Sequence, residues 1–166
     1  AAEKANKLLG TTSVKYLNFP DNQMDTITRL EVIKEIEAFI SLHKPLKVFT
    51  HHCGDVNIDH RVTHDAVIAA CRPQPRFCVK ELYFFEILSS TEWQTPDYGR
   101  GFSPNLFVDV SNIYLDKISA LRVYSDELRS YPHSRSVEAV DAQLKLRGSS
   151  VGVARAEAFV VGRFIL

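Results

Sequence analysis

HHCGDVNIDHRVTHDAVIAACRP, residues His51 to Pro73, crowds four histidines (His51, His52, His60, His64), three aspartates (Asp55, Asp59, Asp65), Asn57 and the thiol of Cys53 into one window. The run before it, Leu46 to Thr50, reads as a buried strand, and Val62, Ala66, Val67 and Ala70 recur at helical spacing. The polar cluster therefore falls on a strand-to-helix crossing. In open α/β sheets, ligands bind at such crossings, beyond the carboxyl ends of the strands.

Outward from this window the chain alternates in the same way. AAEKANKLLG reads as a helix stopped by Gly10, Ser13 to Phe19 alternates as a strand that halts at Pro20-Asp21-Asn22, and Thr26 to His43 carries apolar residues at helical steps, with Thr26 or Thr28 as its cap. A further strand is expected within Phe77 to Ile87 and another at Leu106 to Val110. Helices follow from Ile113 and over Ser136 to Leu146, the latter stopped at Arg147-Gly148, and a last strand lies in Val153 to Leu166. Short connections between alternating elements predict a parallel sheet with helices on both faces, a three-layer α/β fold of Rossmann-like topology. Residues 1–166 read as one domain.

At 166 residues, with 45% hydrophobic and 24% charged residues, the chain has a globular composition. Twenty basic and twenty acidic residues balance to zero, so no basic field for nucleic acid exists and a small-molecule partner is expected. Three cysteines without C-x-x-C spacing point to a reducing, cytoplasmic setting. No apolar run approaches a membrane span of ~20 residues.

Three chemistries fit the central cluster. Asp59 can be the N-cap of the helix; His60 and His64, four apart, can share a metal; or His60 at the helix start can project into the cleft with Asp59 beside it. Arg61 stands where H-E-x-x-H metalloproteases carry their general base, which removes that class. Together, His51, His52, His60 and His64 could instead form a self-contained metal site.

DVNIDHRVTHDAVIAACRP, with FPDN (19–22), FEILSSTEW (85–93), FSPNLFVDVS (102–111), the Lys117-to-Glu127 helix, YPHSRS (131–136) and RGSSVGVARAEAF (147–159), resembles the LmbE-like, or PIG-L, family of zinc-dependent N-deacetylases along nearly the whole chain. The resemblance implies hydrolysis of the N-acetyl group of an N-acetylglucosamine-type amino sugar carried on a nucleotide, lipid or glycoside. It makes His60 a zinc ligand, Asp59 its pocket partner, and Asn57 the occupant of a position where relatives place an oxyanion-stabilising histidine. Asp21 matches a loop carboxylate that hydrogen-bonds sugar hydroxyls in relatives. Glu86, Trp93 and His133 are candidates for the substrate pocket, each with a structural role as its rival. Trp93 and Tyr98 can stack on a sugar face, or anchor their long loop to the body or to a neighbouring copy in a homo-oligomer.

Relatives supply two further zinc ligands and the general-base aspartate from a Pro-His-Pro-Asp-Asp-Glu motif, which this chain lacks. The expectation is that it precedes Ala1, the chain being the C-terminal two-thirds or more of such an enzyme. The rival reading is a non-catalytic sugar-binding or assembly module.

Overall fold

The computed structural model describes residues 1–74, 77–96 and 101–166. The order of elements is α1 (Ala2–Leu8), a 3₁₀ turn (Met24–Thr26), α2 (Arg29–His43), β1 (Lys47–His51), α3 (Ile58–Ala70), β2 (Glu81–Phe85), β3 (Leu106–Asp109), α4 (Tyr114–Arg122), α5 (Val137–Ser149) and β4 (Ala156–Phe164). The strands form one sheet in the order β1-β2-β4-β3. The fold is a three-layer α/β fold, but the sheet is mixed, not parallel throughout. β1 and β2 run parallel from Lys47 beside Glu81 to His51 beside Phe85, whereas β4 returns antiparallel against β2, with a shift at Leu82/Tyr83.

Two compact units divide the chain: residues 19–106 with 159–166, and residues 1–18 with 107–158. In the first, α2 lays Val32, Ile36 and Ile40 inward, the four-residue steps of one helical face. The core there joins Ile40, Val67, Cys71, Val79 and Leu82, flanked by Val48, Phe77 and Phe84. Lys44 closes α2 in the left-handed region (φ 46°) just before Pro45. On β4, Gly162 lies against the Phe84 ring, so close that a Cβ there would sit 2.5 Å from Cζ. Arg163 donates from Nη1 to the carbonyls of Cys71 (2.7 Å) and Val79 (3.0 Å), tying β4 to the end of α3.

In the second unit α1 buries Ala5, α4 buries Ile118 and Ala120, and α5 buries Leu144 and Gly148. Ser136 caps α5, accepting the Ala139 N–H at 3.0 Å. Gly148 does not stop the helix as its sequence position suggests. It lies inside the last turn, where the Arg155 backbone passes within 2.8 Å of the place a Cβ would take. Arg155 pairs with Asp141 (2.7 Å) and lies 4.0 Å over the Tyr114 ring.

Two expected strand features fail. Residues 13–19 form no strand, and Val14, Tyr16 and Leu17 stay exposed. Alternation makes a segment competent for a ladder, but only a neighbouring strand makes one. β1 is not buried as expected either: it stands at the end of the strand order, and Phe49 is 49% exposed. The strand expected within Phe77 to Ile87 narrows to β2, and that expected at Leu106 to Val110 to β3.

Candidate active site

The parallel pairing of β1 with β2 brings their carboxyl ends side by side, and the His52 N–H extends the ladder to the Phe85 carbonyl (3.0 Å). Past β1 the chain turns at Cys53-Gly54 and enters α3. The cap of α3 is Asn57, not Asp59: its side-chain oxygen accepts the Asp59 N–H at 2.8 Å. Asn57 has the extended backbone (φ −71°, ψ 125°) of a cap residue, while Asp59 is already helical. Arg61 folds back and donates from Nη1 to the carbonyls of Asp55 (2.9 Å) and Val56 (3.0 Å), which stiffens the entry turn.

Asp55 is the most enclosed charged group of the site, with no exposed surface. Its carboxylate accepts from the Asn57 N–H (2.9 Å), Thr91 Oγ1 (3.0 Å), Ser90 Oγ in a short bond, and His60 Nδ1 (3.0 Å). Burial pushes the Asp55 carboxyl up, but the hydrogen bonds from His60, Ser90 and the Asn57 backbone outweigh it and hold it at about 2. An ionised Asp55 only accepts, so the His60 Nδ1 that faces it carries a proton, and Nε2 is the nitrogen left to ligate in the neutral ring. That tautomer is the one a metal ligand needs, with the carboxylate as its orienting partner.

His60 stacks on His51 with ring centroids 4.2 Å apart. Burial, then the neighbouring His60, lowers His51 to about 4, so it is neutral near pH 7. His64 donates from Nδ1 to the His51 carbonyl (2.8 Å) and packs on Phe84. His52 meets Phe102 edge-on at 5.3 Å. His60 and His64 thus meet the ring and the carbonyl of His51 while His52 packs on Phe102, and no group of three or more His, Cys, Asp or Glu side chains able to hold a metal gathers among the described residues. This overturns the self-contained metal site. His60 fits zinc as one ligand, with Asp55 behind it; the described residues bring no second and third donor to it, so no reaction step is assigned to a metal.

Asp59 points its carboxylate to a different loop. Oδ2 accepts the Asn22 N–H at 2.6 Å and Oδ1 the Met24 N–H at 2.9 Å. Asp21, on that same loop, is exposed, with Asn22 Nδ2 at 3.3 Å from its carboxylate. Structure therefore joins His60, Asp59, Asn57 and the Asp21 loop around the first turn of α3. Glu86 is half-buried just past β2, and Trp93 is 54% exposed on the following loop. His133 lies in the other unit, where its Nδ1 accepts the Arg135 N–H at 3.0 Å. Tyr98 lies outside the described residues.

Asp55, Ser90 and Thr91 are the site residues that sequence reasoning missed. The signal was present: Ser89-Ser90-Thr91 follows a strand expected to lie parallel to the one before Asp55, so their carboxyl ends had to meet. Glu92 completes this second loop by accepting the N–H groups of Ser89 (2.6 Å) and Ser90 (3.2 Å).

Residues 1–71 match the family PIG-L, GlcNAc-PI de-N-acetylase. Among solved structures, a conserved protein of Thermus thermophilus is 22% identical with a TM-score of 0.77, over 99% of this chain and 72% of that one. The N,N'-diacetylchitobiose deacetylase of Pyrococcus horikoshii, solved with its inhibitor, is 20% identical with a TM-score of 0.74, over 96% of this chain and 60% of its own. The 4-carboxy-2-hydroxymuconate hydratase of Pseudomonas putida KT2440 is 17% identical with a TM-score of 0.70, over 99% and 70%. These likenesses establish the fold. A deacetylase and a hydratase both use it, so the fold by itself selects no reaction. No helix among the described residues is long and apolar enough to cross a membrane.

Proposed function

We propose that this chain, whose residues 1–71 match the PIG-L family, serves zinc-dependent removal of the N-acetyl group from an N-acetylglucosamine-type amino sugar. The observation that carries the reading is the Asp55–His60 pair at 3.0 Å, a buried carboxylate that presents Nε2 of a histidine at the carboxyl end of β1. Zinc, when bound, supplies Lewis-acid polarisation of the acetamide carbonyl. The chain's own part is to hold and orient. Asp55 fixes the His60 ring, Asp59 holds the loop of Asp21, and Asp21 offers acceptors to sugar hydroxyls. Asn57 uses its side-chain oxygen as the cap, which leaves its amide N–H groups as donors to the oxyanion that develops on the acetyl oxygen. Glu86 and Trp93 are the remaining candidates for sugar contact.

The test is zinc content and acetate release. The expected result is zinc bound by the purified protein and lost in His60→Ala, with acetate released from an N-acetylglucosamine substrate by the parent and not by the variant. A folded protein that retains neither zinc nor acetate release overturns the reading. The second reading, a sugar-binding module without catalysis, draws on the absence of a three-donor group among the described residues. It predicts N-acetylglucosamine binding that His60→Ala and chelators leave unchanged.

A further inference from the structure

Asp59 adjoins His60, which invites a role in moving protons; its contacts describe a different one. Both carboxylate oxygens already accept backbone N–H groups, from Asn22 at 2.6 Å and Met24 at 2.9 Å, across 37 and 35 residues of sequence. Its own N–H is capped by Asn57 at 2.8 Å, so the residue that reaches to the loop is itself fixed at the backbone. The loop it holds contains an unfavourable conformation: Asn22 has φ 54°, in the left-handed region that non-glycine residues adopt at a cost, asparagine more readily than most. The Met24 N–H, at the first residue of the 3₁₀ turn, lacks an earlier turn to pair with and finds Asp59 instead.

We propose that Asp59 is a positioning residue for substrate recognition: its carboxylate clamps the backbone on both sides of Gln23 and so fixes Asp21 relative to His60. The proposal rests on the deacetylase reading for the identity of the ligand, not for the clamp itself. Asp21 is exposed, so an acceptor bond from it to a sugar hydroxyl competes with water and adds affinity only where the loop is already ordered. Asp59 and His60 are consecutive residues of one helical turn. The separation between the hydroxyls that Asp21 accepts and the group that His60 serves is then set by α3 itself, and a sugar with its hydroxyls displaced by one ring position falls out of register. Asp59 determines specificity through Asp21 and transfers no proton.

The experiment compares the parent protein with Asp59→Ala, Asp59→Asn, Asp21→Ala and the double variant Asp21→Ala/Asp59→Ala. Amide hydrogen exchange is read at Asn22 and Met24, and the affinity for N-acetylglucosamine by calorimetry. Asp59→Ala is expected to speed exchange at both amides by about tenfold or more and to weaken the sugar by about tenfold. Asp59→Asn, which keeps one acceptor oxygen, falls between. The double variant is no weaker than Asp21→Ala, since both remove one contact. In turnover, Asp59→Asn raises KM and leaves kcat within about threefold.

Unchanged exchange overturns the clamp, and sugar affinities that simply add overturn the recognition role. Loss of kcat by about a thousandfold in Asp59→Asn, with KM and exchange unchanged, makes Asp59 a proton-transfer group and overturns the proposal. A parent protein that binds no N-acetylglucosamine overturns the deacetylase reading and the recognition role together, while exchange still decides the clamp.

Discussion

Asp55 and Asp59 are four residues apart on either side of one helix start, and they hold unlike things. Asp55 is fully buried and, besides the Asn57 N–H, gathers side chains: two hydroxyls from the loop after β2 and the ring of His60. Asp59 is half-buried and gathers backbone: two N–H groups of the loop before α2. A buried carboxylate whose partners have no water to turn to fixes a ring in one tautomer. A carboxylate at the surface, whose partners can be rehydrated, fixes a loop that must also admit a ligand. The difference should appear as a difference between lost stability and lost order.

The largest effect expected is that of Asp55→Ala. It leaves two hydroxyls and the His60 Nδ1 without their acceptor in an enclosed space, and urea unfolding should show a loss of about 3–5 kcal/mol. A loss no greater than that of Asp59→Ala would erase the contrast. Next is the acid limb of stability in chelator-treated protein. His51 is lowered to about 4 from 6.5, so between those values the unfolded chain takes up a proton that the fold refuses. Stability therefore falls as pH drops from 6.5 to 4, by about 2–3 kcal/mol. Asp55 is lowered to about 2 from 3.8, so its contribution, complete above pH 4, is lost as pH falls towards 2, by about 2 kcal/mol. Asp55→Asn should flatten the lower window, and His51→Phe the upper one. A pH series of denaturation midpoints checks both.

Asp59→Ala should cost only about 1–2 kcal/mol, because the freed N–H groups regain water. The comparison sharpens if that loss comes with fast exchange confined to the loop around Asn22, while the Arg61 amide, bonded to the Asn57 carbonyl, stays protected. Ser90→Ala, which removes one of the four donors to Asp55, is expected to cost about 1 kcal/mol and to keep the His60 proton on Nδ1, read from the imidazole carbon shifts. A switch of tautomer would show that Ser90, and not Asp55 alone, sets the ring.

Much of this site is legible in the chain because its cause is local. The strand-to-helix crossing at His51 to His60 follows from periodicity, and so do α2 and the Ser136 start of α5. Asp59 is one cap candidate by sequence, and the cap forms on Asn57, two residues earlier; Asp55 decides it by taking the Asn57 N–H and starting the turn early. The Asp55–Ser90 contact spans 35 residues and depends on the register of β1 against β2, which alternation within either strand does not specify. Residues 13–19 carry strand-forming side chains without a ladder, and Phe49 is exposed because β1 ends the strand order. In both, the residue types describe one chain segment, whereas burial depends on what lies beside it.

Gly162 acts as a gauge of thickness beneath the site. The Phe84 ring that rests on it packs in turn on His64, whose Nδ1 meets the His51 carbonyl, and His51 stacks on His60. A single methyl at position 162 would have to lift the ring, and the displacement has a continuous train of contacts along which to travel. A residue far from His60 in the chain, bearing no side chain at all, therefore leaves the room that the ring at the foot of this train occupies.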